Sequence, residues 1–302
     1  MAAGDFAFVT NQNSSDLSIL DLDARTEVKR IEVPGKPAGI SVDEAHGWFF
    51  TVSPDSKTVR RFDIATATEQ SETTLDGGPI GVAVDGAGGR IFVSDWYNAR
   101  IWVLDAETLE QRGTLETGSA PAGMAVAADG SWLASADRDA NRVSVFDLTT
   151  LELRHAITVG ERPFGISAGP DGMIYAANVG SNSVTVADPA TGQVTGTVEV
   201  GERPYGIAFA QGAGFVTNQY GDTVSVFGLD DLAVEATLDV GEYPEGIDVT
   251  EDGRTIVVAN WFSNSVSLID AASRTVTGEI GTGDGPRAFG HFIARDHGEG
   301  RP

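Results

Sequence analysis

A Pro-x-Gly signal recurs along the chain with a period near 42 residues, and no other feature constrains the fold as strongly. The copies are Pro37-Ala38-Gly39, Pro79-Ile80-Gly81, Pro121-Ala122-Gly123, Pro163-Phe164-Gly165, Pro204-Tyr205-Gly206, Pro244-Glu245-Gly246 and a degenerate Pro286-Arg287-Ala288. Successive copies are separated by 42, 42, 42, 41, 40 and 42 residues. A fixed period of this size is typical of repeat proteins in which each unit is one supersecondary structure. The sequence therefore predicts seven copies of one unit.

Each unit contains four short runs of alternating or apolar residues. In residues 163–200 the runs read FGISA, MIYAAN, SVTVAD and QVTGTVEV, and segments rich in Gly, Pro, Asn and Asp separate them. Four antiparallel strands in a unit of about 40 to 45 residues are typical of a β-propeller blade. A helical repeat would instead show a 3.6-residue apolar period. We therefore predict an all-β, seven-bladed propeller with four-stranded antiparallel blades.

The two ends of the chain carry complementary parts of one blade. Residues 6–33 supply only the second, third and fourth strands of a unit, whereas the segment after Pro286 reads RAFGHFIA, a first strand without partners. Pairing the C-terminal strand with the N-terminal three closes the ring in a 1+3 arrangement and leaves no open edge. We expect a single propeller domain over 1–302, with 6–33 and 287–294 in the closing blade and 295–302 as a tail.

The composition excludes several classes of partner. The formal net charge is -24, from 44 acidic and 20 basic residues, and the chain contains no cysteine. Nucleic acids and anionic membranes are bound mainly through cationic side chains, so neither is expected as a partner. A chain without cysteine has no disulfides and no thioether-linked haem. No apolar run approaches the roughly 18 residues of a membrane span, so we expect no insertion into a membrane. We expect the acidic chain to be a monomer.

The polar residue that ends the second strand of each unit is followed ten residues later by the end of the third strand. Asn11 is paired in this way with Asp21, and only Gly228 replaces the second Asp in the seven units. Asn and Asp at a strand end can accept a hydrogen bond from the backbone N–H two residues further on. We interpret both positions as turn-forming residues.

The same segments carry a resemblance to a known repeat. FVTN occurs at 8–11 and 215–218, and NSVSLID at 264–270. These units resemble the YVTN repeat of bacterial and archaeal seven-bladed propellers, over essentially the whole chain. The resemblance implies a protein exported to the periplasm, the cell surface or a surface layer. The given sequence shows no signal peptide, so either one was removed before the numbering begins or the protein is cytoplasmic.

Motifs of common enzyme classes are missing, including His-Glu-x-x-His, Gly-x-Ser-x-Gly and the Walker loop. The segment DRDAN at 137–141 imitates the start of a calcium loop, but Arg142 and Leu148 stand where such a loop needs Gly and Glu. Asp95 and Asp137 are therefore only weak candidate ligands of a divalent cation. His291 replaces a valine of other first strands, and we interpret it as a core residue, with a role near the channel as the alternative.

The loops that join one blade to the next and the loops after the second strands open on the same face of a propeller. The candidate ligand-binding residues on this rim are Trp96, Arg138, Arg162, Phe164, Arg203, Tyr205, Glu245, Trp261 and Arg287. VGERPFG at 159–165 and VGERPYG at 200–206 place Arg162 and Arg203 on successive blades. Arginines beside aromatic rings are suited to a small anionic or aromatic ligand. Alternatively, the arginines pair with neighbouring glutamates and the rings cap the core.

The first functional hypothesis is a non-enzymatic binding or scaffolding module that presents this rim to a ligand or a partner protein. A second is a lactonase- or lyase-like enzyme with a divalent cation held at the rim. A third is the propeller subunit of a periplasmic dehydrogenase system. The sequence favours the first because it contains no catalytic motif.

Overall fold

The computed structural model describes residues 4–295, which fold into 29 β-strands and one turn of 3₁₀ helix at Arg138–Ala140. The strands are β1 Asp5–Asn11, β2 Asp16–Asp21, β3 Thr26–Glu32, β4 Gly39–Asp43, β5 Trp48–Ser53, β6 Thr58–Asp63, β7 Glu69–Thr74, β8 Pro79–Asp85, β9 Arg90–Asp95, β10 Arg100–Asp105, β11 Gln111–Glu116, β12 Pro121–Val126, β13 Trp132–Asp137, β14 Arg142–Asp147, β15 Leu153–Thr158, β16 Pro163–Ala168, β17 Ile174–Asn178, β18 Ser183–Ala187, β19 Val194–Glu199, β20 Pro204–Ala210, β21 Ala213–Asn218, β22 Thr223–Gly228, β23 Val234–Asp239, β24 Pro244–Val249, β25 Thr255–Asn260, β26 Ser265–Asp270, β27 Thr275–Gly281, β28 Phe289–His291 and β29 Ile293–Arg295. None of the described segments is a helix long and apolar enough to cross a membrane.

Consecutive groups of four strands form antiparallel meanders, which confirms the predicted seven-bladed propeller. Hydrogen bonds between side chains and backbone within the turns stabilise each blade locally. Asp105 ends β10, and its Oδ1 accepts hydrogen bonds from the backbone N–H groups of Glu107 at 3.1 Å and Thr108 at 2.8 Å. The hydrogen bond from Thr108 is the main cause that lowers the pKa of Asp105 to about 2. The predicted role of the aspartate at the end of the third strand is thus confirmed.

The asparagine at the end of the second strand acts differently from the prediction. Asn218 Nδ2 donates to Thr223 Oγ1 at 3.0 Å and to Ser225 Oγ at 2.9 Å, both on the neighbouring β22. The amide therefore ties two strands together instead of building the turn. A Cβ on Gly201 would lie 2.5 Å from this amide, which explains the glycine in VGERPYG. Asn178 and Asn260 make the same pair of contacts in their blades.

The C-terminal segment closes the ring, as predicted, but as two short strands. β29 pairs antiparallel with β1, while β28 pairs parallel with β4 of the next blade. Phe292 separates the two strands. Gly290, within β28, adopts φ +133, and a Cβ there would lie 2.0 Å from the carbonyl oxygen of Ile40, so the close approach of β28 to β4 requires glycine at this position. Arg295 belongs to β29, and the rest of the predicted tail, 296–302, lies outside the described residues.

Three aromatic rings divide the central channel. Phe164 lies 4.5 Å from Tyr205 and 4.9 Å from Phe289, measured between ring centroids. Phe289 lines a wide cavity of about 1050 Å³ on one side of this plug. Phe164 and Tyr205 line a narrow cavity of about 420 Å³ on the other side. The two ends of the propeller are thus separate concave sites.

Removal of residues 287–302 should lower the melting temperature far more than trimming a chain end normally does. β1 would become an open edge and the plug would lose Phe289. We expect a decrease of more than roughly 10 °C, because each kcal/mol of stability corresponds to a few degrees in a chain of this size. The control is a chain shortened only by 296–302, measured by differential scanning calorimetry. Equal melting of the two shortened chains would contradict ring closure by this segment.

Candidate functional site

The narrow cavity collects most of the predicted rim residues. Its lining includes eight of the nine candidates, namely Trp96, Arg138, Phe164, Arg203, Tyr205, Glu245, Trp261 and Arg287. Gln12, Val179, Gln219, Tyr243 and Phe262 complete it. The residues come from several blades because each contributes the loop after its second strand or before its first. The ninth candidate, Arg162, does not line this cavity.

The difference between Arg162 and Arg203 depends on a neighbouring residue. Both have a left-handed backbone, with φ of +53 and +57. The guanidinium of Arg203 lies 4.3 Å from the centre of the Tyr220 ring, and its Nη1 donates to the Tyr220 hydroxyl at 2.9 Å. Gly180 occupies the position of Tyr220 in the preceding blade, so Arg162 lacks the equivalent ring and is exposed. The aromatic partner holds Arg203 at the cavity.

A buried ion pair lies at the centre of the site. Arg287 Nε is 3.1 Å from Glu245 Oε2, and Glu245 is only 4% exposed. Arg287 also donates from Nη1 to Gln12 Oε1 at 3.2 Å and from Nη2 to the Tyr205 hydroxyl at 2.5 Å. Gln219 Nε2 donates to Glu245 Oε1 at 2.8 Å. Gln12 and Gln219, which directly follow the two FVTN segments, are therefore both members of this network.

Burial and charge act in opposite directions on these groups. Desolvation raises the pKa of Glu245, although the charge of Arg287 and the hydrogen bond from Gln219 oppose this shift. Burial alone would lower the pKa of Arg287, but the charge of Glu245 raises it. Burial also raises the pKa of the Tyr205 hydroxyl well above its usual range. Arg287 therefore remains cationic, and its charge is compensated locally by Glu245.

Aromatic side chains form the walls of the narrow cavity. Trp96 lies 5.8 Å from Phe164, and the guanidinium of Arg138 lies 5.4 Å from the Trp96 ring. On the opposite wall, Trp261 lies 5.9 Å from Tyr243 and 4.6 Å from Phe262. Phe262 is absent from the predicted candidates, and its only sequence signal is an aromatic residue directly after Trp261. These walls are suited to stacking against a flat ligand.

The two weak metal candidates have other partners. Asp95 is fully buried and accepts hydrogen bonds from the backbone N–H of Gly78 and from Arg100 Nε, both at 2.8 Å. Asp137 accepts from the backbone N–H of Gly118 at 2.7 Å. Within residues 4–295, no group of three or more His, Cys, Asp or Glu is arranged to hold a metal ion. A divalent cation at the rim therefore stays a prediction without a ligand set among these residues.

His291 lines the wide cavity, and its interpretation as a core residue is wrong because half of the side chain, 51%, is exposed. Its Nδ1 lies 2.8 Å from Asp248 Oδ2. The same oxygen accepts the backbone N–H groups of Phe292 at 2.7 Å and Ile293 at 3.0 Å. The charge of Asp248 raises the pKa of His291. This contact links the closing segment to β24.

Comparisons with known proteins show the fold. The family model of the NHL repeat matches residues 77–104, a segment from just before β8 into β10. No curated protein sequence matches the chain significantly. Hydrazine synthase of Kuenenia stuttgartiensis is similar in structure, with 18% identity, a TM-score of 0.80 and coverage of 88% of this chain and 92% of that chain.

Two further solved structures share the propeller. A functionally unknown protein from Desulfotomaculum acetoxidans DSM 771 has 15% identity, a TM-score of 0.81 and coverage of 97% and 99% of the two chains. Dihydro-heme d1 dehydrogenase NirN, in complex with DHE, has 14% identity, a TM-score of 0.71 and coverage of 93% of this chain and 74% of that chain. At such identities the similarity concerns the fold and not the activity.

Replacement of Arg287 by Ala should lower the free energy of unfolding by about 3 to 5 kcal/mol, because it leaves the Glu245 carboxylate buried without its cation. The matched control is Arg138→Ala, which breaks a contact with the half-exposed Asp139 and should lose less than about 1 kcal/mol. Urea unfolding at pH 7 measures both. Similar small losses in the two variants would contradict a buried, charged pair.

The stabilising contact of His291 should depend on pH. Because the folded pKa of His291 is raised, the contribution is fully present below the unfolded pKa of about 6.5. It is lost as the pH rises through the folded pKa. Thermal unfolding of the protein and of His291→Gln between pH 5 and pH 9 should show a difference that shrinks with rising pH. A difference that grows with pH would contradict the ion pair.

Proposed function

We propose that this protein is a YVTN-type propeller that acts as a binding module, with its ligand in the narrow cavity. The ligand is a small anion with a flat, aromatic body. The observation that carries this proposal is Arg203, which lines the cavity and has no carboxylate within ion-pair distance in the described part of the chain. Arg138 and Arg287 are paired with Asp139 and Glu245.

The charge of the whole chain makes this arginine notable. The protein carries a net charge of -24, so an arginine without an acidic neighbour at a concave site is not explained by the average surface. Guanidinium groups form strong, directional hydrogen bonds with carboxylate and phosphate oxygens. The aromatic walls add stacking surface for a ring, and about 420 Å³ fits a small ligand.

The backbone conformation at Arg203 allows a direct test of the proposal. Arg203 and Tyr243 both line the cavity in the left-handed conformation, with φ of +57 and +58. In the closing blade the equivalent position is Gly285, with φ +67. A side chain in this conformation costs on the order of 1 kcal/mol relative to glycine. Arg203→Gly therefore separates binding from folding, since it relieves backbone strain while removing the guanidinium.

Titration with benzoate, naphthalene-2-sulfonate and inorganic phosphate tests the proposal, with the fluorescence of Trp96 and Trp261 as readout. We expect the two aryl anions to bind. Arg203→Gly should lower their affinity roughly tenfold or more, because the charged hydrogen bonds are lost. The thermal stability of this variant should not decrease. Arg162→Gly is the matched control, because it has the same repeat position and lies outside the cavity.

Equal weakening by Arg162→Gly and Arg203→Gly would contradict a site in the narrow cavity. If none of the probes binds, a partner protein on this face becomes the better candidate. Tyr97, Tyr220 and Phe262 are 76%, 50% and 59% exposed. Each lies two residues after the end of a second strand, so all three lie on the same rim. Exposed aromatic residues of this kind are enriched at protein interfaces. Export, which the YVTN resemblance implies, is part of the proposal.

A further inference from the structure

The narrow cavity contains polar atoms that the protein itself does not satisfy. Four buried atoms of its lining residues have no hydrogen-bond partner within residues 4–295. Three are donors, namely Arg203 Nε, Trp261 Nε1 and Arg287 Nε, and one is an acceptor, Glu245 Oε2. A buried polar atom without a partner costs about 1 to 3 kcal/mol, so such atoms in one cavity call for an explanation.

The ion pair between Glu245 and Arg287 does not supply the missing hydrogen bonds. Arg287 Nε and Glu245 Oε2 lie 3.1 Å apart, but the N–H is not aligned with the oxygen as a hydrogen bond. The contact compensates charge and leaves both atoms without a directional partner. Gln219 occupies the other carboxylate oxygen, Oε1. Oε2 is therefore the acceptor that remains in this network.

The unpaired acceptor, Glu245 Oε2, restricts the chemistry of the ligand more than the three unpaired donors do. An acid group alone can accept hydrogen bonds from arginine or tryptophan, but it cannot satisfy Glu245 Oε2. A second negative charge beside a carboxylate that is 4% exposed would also be unfavourable, since like charges repel strongly when desolvated. A ligand that suits all four atoms must bring its own hydrogen-bond donor to Glu245.

Building on the proposed function, we infer that the ligand carries an amine or hydroxyl donor next to its acid group, as in an aromatic α-amino acid or α-hydroxy acid. The acid group is bound by Arg203, and the donor is bound by Glu245. The ring stacks between the aromatic walls that contain Trp96 and Trp261. Glu245 is thus the specificity-determining residue of the site.

Isothermal titration calorimetry at pH 7 with four matched probes tests this inference. Phenylalanine carries an acid and an amine, 3-phenyllactate an acid and a hydroxyl, 3-phenylpropionate the acid alone and phenethylamine the amine alone. We expect at least one of the first two to bind roughly tenfold more tightly than 3-phenylpropionate, and phenethylamine to bind more weakly than 3-phenylpropionate. The order of phenylalanine and 3-phenyllactate identifies the donor.

Glu245→Gln separates the donor contact from the rest of the site. The preference over 3-phenylpropionate should fall below about threefold in this variant, while 3-phenylpropionate itself binds at least as well. Should the variant fail to fold, the probe series on the unmodified protein still decides the question. Binding of 3-phenylpropionate as tight as that of phenylalanine and 3-phenyllactate, and sensitive to Arg203→Gly, would overturn the inference and leave the proposed function standing. Absence of binding by all four probes would overturn both.

Discussion

The pairing of the C-terminal segment with β1 is the contact on which the rest of the molecule depends. It closes the ring, and the residues just before it, which pair in part with β4, place three alternate side chains at the axis of the propeller. Arg287 enters the narrow cavity, Phe289 joins the central plug and His291 faces the wide cavity. A single C-terminal segment therefore couples the integrity of the fold to both concave sites. Loss of this segment would remove Arg287, the partner of Glu245, together with the blade closure.

The repeat separates structural residues from residues that can carry function. Asn218 and Gly201 hold neighbouring strands and loops together, and equivalent residues do so in other blades. Gln219 directly follows Asn218, the last residue of the second FVTN segment, yet it binds Glu245 in the cavity network. The boundary between scaffold and site thus runs between two adjacent residues. Differences between blades at such positions, such as Trp261 in place of Gln219, create an asymmetric cavity within a nearly symmetric ring.

The sequence was sufficient for the fold and for most of the rim, because the period fixes the strands and the strands fix the loops. It was insufficient wherever the answer depended on side-chain direction. Arg162 and Arg203 share a repeat position, and only Tyr220 in place of Gly180 holds one of them at the cavity. Glu245 and Arg287 occupy equivalent positions of successive repeat units, so the period places them near each other, but it does not show that their side chains turn toward each other to form an ion pair. The expected closing strand over 287–294 is divided in the structure, because β28 pairs with the next blade and only β29 pairs with β1.

We propose that the narrow cavity binds one ligand through two contacts, its acid group with Arg203 and its amine or hydroxyl group with Glu245. A crystal structure of the protein grown with phenylalanine or 3-phenyllactate tests it most directly. We expect ligand density in the narrow cavity, with the acid group within hydrogen-bond distance of Arg203 and the amine or hydroxyl within that distance of Glu245. Density for the ligand in the wide cavity beside His291, or an empty narrow cavity at saturating ligand, would contradict it.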